Sequence, residues 1–230
     1  MLKGKTYGTV YGGWWLPNAL NLSPTSTVIS AGAGEDISFD LAIQSQFGCT
    51  VEIYDPTERA IKHFEEIQNY YKPNFPGFSG NIQKDYEIWI SPLKPNFAKI
   101  NFNKFGLAAA DSTVKFYKQT NPDYVSQTVV PDMYGTDYTI AKMKRLQTVL
   151  KEKGLEKIDV LKLDIEGAEL QVLETMLEDK IYPTVLCLEF DYYLKGKDRG
   201  ETGIIINKLY DVGYKLLHGE NWNYTFMHLV

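Results

Sequence analysis

The chain has 230 residues, with 24 Lys and Arg against 29 Asp and Glu, a formal net charge of −5. That balance excludes a protein held mainly by nucleic-acid phosphates, which needs a basic excess; 44% hydrophobic and 13% aromatic residues exclude a disordered chain. No apolar run approaches the ~18 residues of a membrane span, the first twenty residues lack the apolar stretch of a secretion signal, and two cysteines make no disulfide framework. The expectation is a cytoplasmic protein, one domain over residues 1–230.

Residues 1–27 read as an N-terminal extension packing on or near the ligand site. An apolar strand over 28–31 opens into Gly32-Ala33-Gly34. A helix follows, capped by Asp36, with Phe39, Ala42, Ile43 and Phe47 at helical spacing until Gly48 stops it. Residues 50–54 form a second strand ending at Asp55-Pro56. Residues 57–71 form a helix with Ala60, Ile61, Phe64, Ile67 and Tyr71 on one face, leaving His63 on the surface. Residues 72–80, rich in Pro and Gly, are loop, and 85–93 fit either a helix or a strand. Strands are expected over 105–109 and 114–117. Residues 118–140 are polar and long for a plain connection, so they read as a substrate loop or a surface loop. Residues 142–153 read as a mostly basic helix with a solvated face.

The run 158–163 is almost continuously apolar, as in a central strand covered on both faces. It ends at Asp164, and a helix over 167–177 follows. Another such strand over 184–188 ends at Glu189. A helix over 202–212 then leads to a strand pair over 214–217 and 224–229. Alternating strands and helices closed by two successive strands predict an α/β fold: one doubly wound, Rossmann-like domain with a mostly parallel seven-stranded sheet and an antiparallel C-terminal hairpin. With the first five strands in the order 3-2-1-4-5, Cys49 and Cys187 lie ~14 Å apart. That is beyond disulfide reach, so both are expected as buried free thiols.

Gly32-Ala33-Gly34 lets a ligand approach backbone N–H groups at a helix start, or simply makes a tight turn. Asp55 stands at the tip of the second strand, where a carboxylate accepts from a ribose diol or caps the strand end. The pair points to an adenosine compound. Ile37 occupies the place of the third glycine of a dinucleotide fingerprint, and Glu35 and Asp36 crowd the place of a pyrophosphate. A cationic ligand suits those acids better, and S-adenosylmethionine carries a sulfonium and an ammonium.

Lys162-Leu163-Asp164-Ile165-Glu166-Gly167-Ala168-Glu169 places three carboxylates at the end of a central strand and in the turn after it. Here the chain resembles the FkbM family of S-adenosylmethionine-dependent methyltransferases. That family's hallmark is a lysine–hydrophobe–aspartate followed by Glu-Gly-Ala-Glu, and residues 161–173 match it without a gap. Residues 105–117 resemble the family's third strand and adjoining turn, and 30–40 a form of its first motif. Ser30 replaces a common acid, Gly34 a common asparagine, and Asp55 a common glutamate. The resemblance implies a class I methyltransferase fold. It implies that Gly32, Ala33, Gly34, Glu35, Asp36, Asp55, Pro56, Leu107, Ala108, Ala109, Asp164 and Glu166 bind S-adenosylmethionine and its product S-adenosylhomocysteine. In that assignment the glycines back the methionine part, Asp55 holds the ribose, and residues 107–109 flank the adenine. Glu169 reads as helix-start charge that orients the helix.

A hydroxyl acceptor must also lose its proton, for which Asp164, Glu189, Asp191 and His218 are the catalytic candidates. Asp164, Glu189 and Asp191 would also serve as oxygen ligands if a divalent metal takes part. Trp14, Trp15, Tyr124 and Ser126 are the candidates for contact with the acceptor; the tryptophans suit a sugar face, a cofactor roof or a core plug. Family habit, with the aromatic and acidic residues, favours methyl transfer to a hydroxyl of a small-molecule or saccharide acceptor, foremost a sugar or glycan. A natural-product hydroxyl, an RNA ribose and a silent adenosine-binding module are the alternatives, and the acidic charge weighs against RNA.

Overall fold

The computed structural model describes residues 3–121, 124, 126–131, 133–190, 200–220 and 222–229. Strands β1 (Gly4–Tyr7) and β2 (Trp14–Pro17) form an antiparallel ribbon. Next come β3 (Thr27–Ala31), α1 (Ser38–Phe47), β4 (Thr50–Tyr54), α2 (Glu58–Tyr70), α3 (Tyr86–Ile90) and β5 (Ile100–Asn103). A four-stranded side sheet is built from β6 (Gly106–Leu107), β7 (Ser112–Lys118), β8 (Gln127–Thr128) and β9 (Tyr138–Lys144). The chain continues through α4 (Leu146–Lys153), β10 (Val160–Leu163), α5 (Glu169–Glu178), β11 (Val185–Glu189), α6 (Glu201–Asp211), β12 (Tyr214–Glu220) and β13 (Asn223–His228).

The main sheet has seven strands in the order β12-β13-β11-β10-β3-β4-β5. Strands β3, β4, β5, β10 and β11 are mutually parallel, and the β12–β13 hairpin joins through an antiparallel pairing of β13 with β11. β3 and β10 are buried at every position, as their mostly apolar sequences require, with Thr27, Ser30 and Lys162 the buried polar exceptions. Helices α1, α2 and α3 pack on one face and α4, α5 and α6 on the other, giving two apolar clusters separated by the sheet. Three strand spacings separate β4 from β11, and Cys49 and Cys187 are free and buried.

Several local expectations are corrected. The third parallel strand is β5, not residues 105–109; Gly106 and Leu107 instead pair with β9 in the side sheet. Residues 142–144 continue a strand, with Ala141 and Met143 buried on Phe116 and the lysines alternating outward. Asp36 does not provide the cap of α1, whose cap position is Ile37 without a side-chain bond. Asp36 accepts instead from the Ser38 amide at 2.9 Å and from the Thr9 hydroxyl at 2.6 Å.

His63 is not on the surface but 2% exposed, packed against Phe78 and Tyr86. The Ile37 amide donates to the Tyr86 hydroxyl at 3.4 Å, and that hydroxyl lies 2.9 Å from His63 Nε2. Burial lowers the pKa of His63 to about 4, with Glu35 and Glu66 opposing only in part. Below the ordinary value of about 6.5 the unfolded chain therefore binds a proton that the folded one excludes. Stability is expected to fall as pH drops from 6.5 toward 4, by about 3 kcal/mol from this group. Urea denaturation across that range, with His63→Gln for comparison, should show a shallower acid decline in the variant; equal slopes would refute the assignment.

Candidate functional site

The tips of β3, β4, β10 and β11 open together at the carboxyl edge of the sheet, into a cavity of about 710 Å³. Ligand pockets typically measure about 300–1,000 Å³, and this edge is where open α/β sheets bind them. Residues ahead of β2, the β12–β13 hairpin and the side sheet complete its walls.

Gly32 begins the turn after β3 at φ 82°. A Cβ there would sit 1.7 Å from the carbonyl oxygen of Asp164, so the turns after β3 and β10 abut and only glycine permits it. Asp55 shapes the rest of the turn. Its Oδ2 accepts from the amides of Ala33 (2.8 Å) and Gly34 (3.1 Å), and its Oδ1 from the amide (2.8 Å) and hydroxyl (2.6 Å) of Thr57. Those four bonds fill the lone-pair directions of a carboxylate, about four in all. Asp55 thus orients the glycine turn, and a ribose diol would reach it only by displacing one of these bonds.

Lys162 is 4% exposed on β10 and lies beneath both turns. Its Nζ donates to the Gly32 carbonyl at 2.5 Å, sits 3.3 Å from Asp164 Oδ2 and stands 5.9 Å from the Trp14 ring centre. Burial alone lowers its pKa, but Asp164, Asp40 and Glu189 outweigh that, holding it above the ordinary lysine value and charged. Asp40, 1% exposed on α1, is raised to about 6, chiefly by burial.

Glu166 stands at φ 56°. Its carbonyl accepts from the Thr128 hydroxyl at 2.5 Å and its carboxylate from the Tyr134 hydroxyl, so residues of the polar loop lie on this turn. Glu169 faces inward: it accepts from the amides of Ile165 (2.8 Å) and Gly167 (2.9 Å), holding the turn as expected of an orienting acid. Glu35 pairs with Arg59 at 2.6 and 3.0 Å.

The residues ahead of β2 press onto the glycine turn. A Cβ on Gly12 would lie 2.5 Å from the Asp36 carboxyl carbon. Tyr11 is 64% exposed overall, yet its pKa is pushed up to about 12 by burial and by Asp164, Glu166, Glu189 and Asp36. Trp14 is buried in the core beside Lys162, while Trp15 stacks on His218 with ring centres 5.0 Å apart and planes 14° from parallel. His218 Nε2 lies 3.4 Å from Glu220 Oε2.

The cavity thus gathers Gly32, Ala33, Gly34, Glu35, Asp36, Asp55, Pro56, Leu107, Asp164, Glu166, Glu189, His218, Trp14, Trp15 and Ser126. Ala108, Ala109 and Tyr124 do not line it. Ala108 packs toward Phe116 in the side sheet, and Tyr124 is 62% exposed with its carbonyl accepting from Arg59. Asp191 lies outside the described residues. Among the described residues no three His, Cys, Asp or Glu side chains group as metal ligands. The sequence reading missed the apolar wall of Phe116, Val129 and Met143. Its signal was the two-residue alternation Ala141-Lys142-Met143, which marks a strand. It also missed Thr9, Glu220 and Asn223, which stand in no motif.

An acid-walled cavity at the carboxyl edge of a doubly covered, mostly parallel sheet is the feature this fold offers for chemistry. The family model for the methyltransferase FkbM domain matches residues 23–216, and the chain belongs to that methyltransferase family. Comparison with curated proteins and with solved structures returned no match. Among the described residues no helix is long and apolar enough to cross a membrane.

Replacing Lys162 by Met would leave the half-buried Asp164 without its ion pair and the Gly32 carbonyl without its donor. The expected cost is about 1–3 kcal/mol of unfolding free energy, the range for losing a hydrogen bond to a charged group. Urea denaturation measures it; an unchanged midpoint would remove the lysine from its structural role.

Proposed function

We propose that this protein is an S-adenosylmethionine-dependent O-methyltransferase with a class I, Rossmann-like fold, acting on a hydroxyl of a sugar or glycan. The observation that carries this reading is the charge of the cavity. Glu35, Asp36, Asp55, Asp164, Glu166, Glu189 and Glu220 line it against Lys162, the one Lys or Arg among its described lining residues. Lys162 already serves Asp164 and Gly32. Such a donor set suits a cationic nucleoside and opposes a pyrophosphate.

Bound S-adenosylmethionine supplies a methyl group activated as a sulfonium. The turn 32–36 is placed to hold its methionine part through backbone groups, with Asp164 and Glu166 beside it. Leu107, Phe116, Val129 and Met143 offer an apolar slot for a purine, and Gln127 a polar edge. Asp55 serves by fixing the turn. With the methyl group already activated, the protein contributes mainly position, bringing the acceptor oxygen to ~3–3.5 Å.

The acceptor then lies toward Trp15, Glu189, His218 and Asn223, at the other end of the cavity. An indole beside carboxylates and an amide suits a polyol, which offers an apolar ring face and many hydroxyl donors. Phosphorylated acceptors and RNA meet repulsion there.

Calorimetry is expected to show S-adenosylmethionine and S-adenosylhomocysteine binding with one site per chain. Met143→Ala should weaken S-adenosylhomocysteine roughly tenfold, the equivalent of about 1.4 kcal/mol of lost packing. Turnover of radiolabelled S-adenosylmethionine is expected with neutral saccharides and not with their phosphate esters. Absence of binding by either nucleoside would overturn the proposal.

A further inference from the structure

We infer that His218 is the general base of this transfer, aimed at the acceptor by a β-bulge and aligned by Glu220 and Trp15. The inference rests on the function proposed above. Its first observation is a register shift. Tyr214 pairs with His228, Lys215 with Met227 and Leu216 with Phe226, but His218 pairs with Thr225, so Leu217 is an extra residue in β12. Opposed residues of an antiparallel pair share a face, and alternate residues along a strand share one too. Without the bulge, His218 would fall on the face of Leu216 and Phe226, away from Trp15. With it, His218 joins Thr225, whose hydroxyl donates to the Trp15 carbonyl at 2.9 Å. Bulges re-aim side chains in this way beside active sites.

The second observation is how the ring is held. Trp15 stacks on its plane at 5.0 Å, and Glu220 Oε2 stands 3.4 Å from Nε2. Glu220, paired with Asn223, lies on the same face as His218. A carboxylate at Nε2 favours the tautomer with its proton there, leaving the Nδ1 lone pair to act. Of the other described candidates, Asp164 is engaged by the Lys162 ammonium at 3.3 Å, and Glu189 acts on the same ammonium.

In the step assigned to it, His218 takes the proton as the acceptor O–H bond breaks. The acceptor oxygen bonds to the methyl carbon, and the carbon–sulfur bond breaks with its electron pair remaining on sulfur. The imidazolium then releases the proton to water. The ionisable neighbours are Glu220 on the same strand, Tyr11 ahead of β2, Glu189 on β11 and, at the cavity floor, Lys162 and Asp164 of β10. Trp15, Asn223 and Thr225, from β2 and β13, do not ionise.

The test uses the full chain and needs no known acceptor. The His218 ring proton, assigned by its loss in His218→Asn, is titrated by NMR in complexes with S-adenosylhomocysteine and with S-adenosylmethionine. A ring facing the sulfonium should titrate at lower pH in the second complex, because like charge opposes the imidazolium. In parallel, turnover of radiolabelled S-adenosylmethionine over a panel of methyl glycosides should fall about 10²–10⁴-fold in His218→Asn, with S-adenosylhomocysteine affinity unchanged. Identical titrations in the two complexes, or a variant that binds the product and keeps its turnover, would overturn the inference while leaving the methyltransferase reading intact. Absence of nucleoside binding in the unchanged protein would overturn both.

Discussion

The ammonium of Lys162 holds the carboxyl edge of the main sheet together. It reaches from β10 to the carbonyl of Gly32 at the end of β3 and to the carboxylate of Asp164 at the end of its own strand. Adjacent parallel strands bring their tips together by geometry alone, but their turns carry carbonyls and carboxylates that repel one another. A buried cation between them removes that repulsion and gives the Gly32 carbonyl a charged donor. The close approach of Gly32 to the Asp164 carbonyl is then tolerable, and the cavity acquires a floor of fixed shape. Asp40 below and Trp14 beside the ammonium complete its surroundings.

Around that floor the walls come from segments far apart in the chain. The N-terminal residues reach the glycine turn through Thr9 and Asp36, and β2 reaches the hairpin through Trp15 and Thr225. This short segment therefore touches two separate walls of the cavity at once. The side sheet contributes from the opposite flank, with Thr128 and Tyr134 bound to the turn at Glu166. Each contact joins a loop to a strand tip, so the cavity depends on tertiary pairing more than on any one motif.

The central strands were legible because burial on both faces leaves a nearly continuous apolar run, as in Val160–Leu163, broken only by Lys162, and in Val185–Glu189 up to its terminal acid. The third strand was not. β5 is an edge strand of sequence Ile-Asn-Phe-Asn, whose asparagines donate to Glu52, while the more apolar residues 105–109 drew the assignment away. His63 was misplaced for a related reason: helical periodicity shows which face is apolar, and nothing local shows that Phe78 of a loop and Tyr86 of α3 cover the polar side. The glycine turn, Asp55 and Glu166, singled out in the sequence, come together at one cavity. Partners more than a hundred residues away, such as Trp15 for Thr225, leave no periodic trace.

The acids most conspicuous in the sequence turn out to be occupied by the protein itself. Asp55 accepts four bonds from neighbouring residues, Glu169 binds the amides of the turn before it, Glu35 grips Arg59, and Asp36 is closed off by Thr9 and Gly12. A carboxylate with its lone pairs filled is a good geometric constraint, because several charge-assisted bonds fix a turn that would otherwise sample many shapes. Motif residues of this kind preserve the form of the cavity rim. Proton removal asks for the opposite: a group with an uncommitted lone pair, part access to water and a plane held in one orientation. His218, half-buried on an edge hairpin, stacked on Trp15 and turned by one extra residue, meets that demand where no motif directs attention.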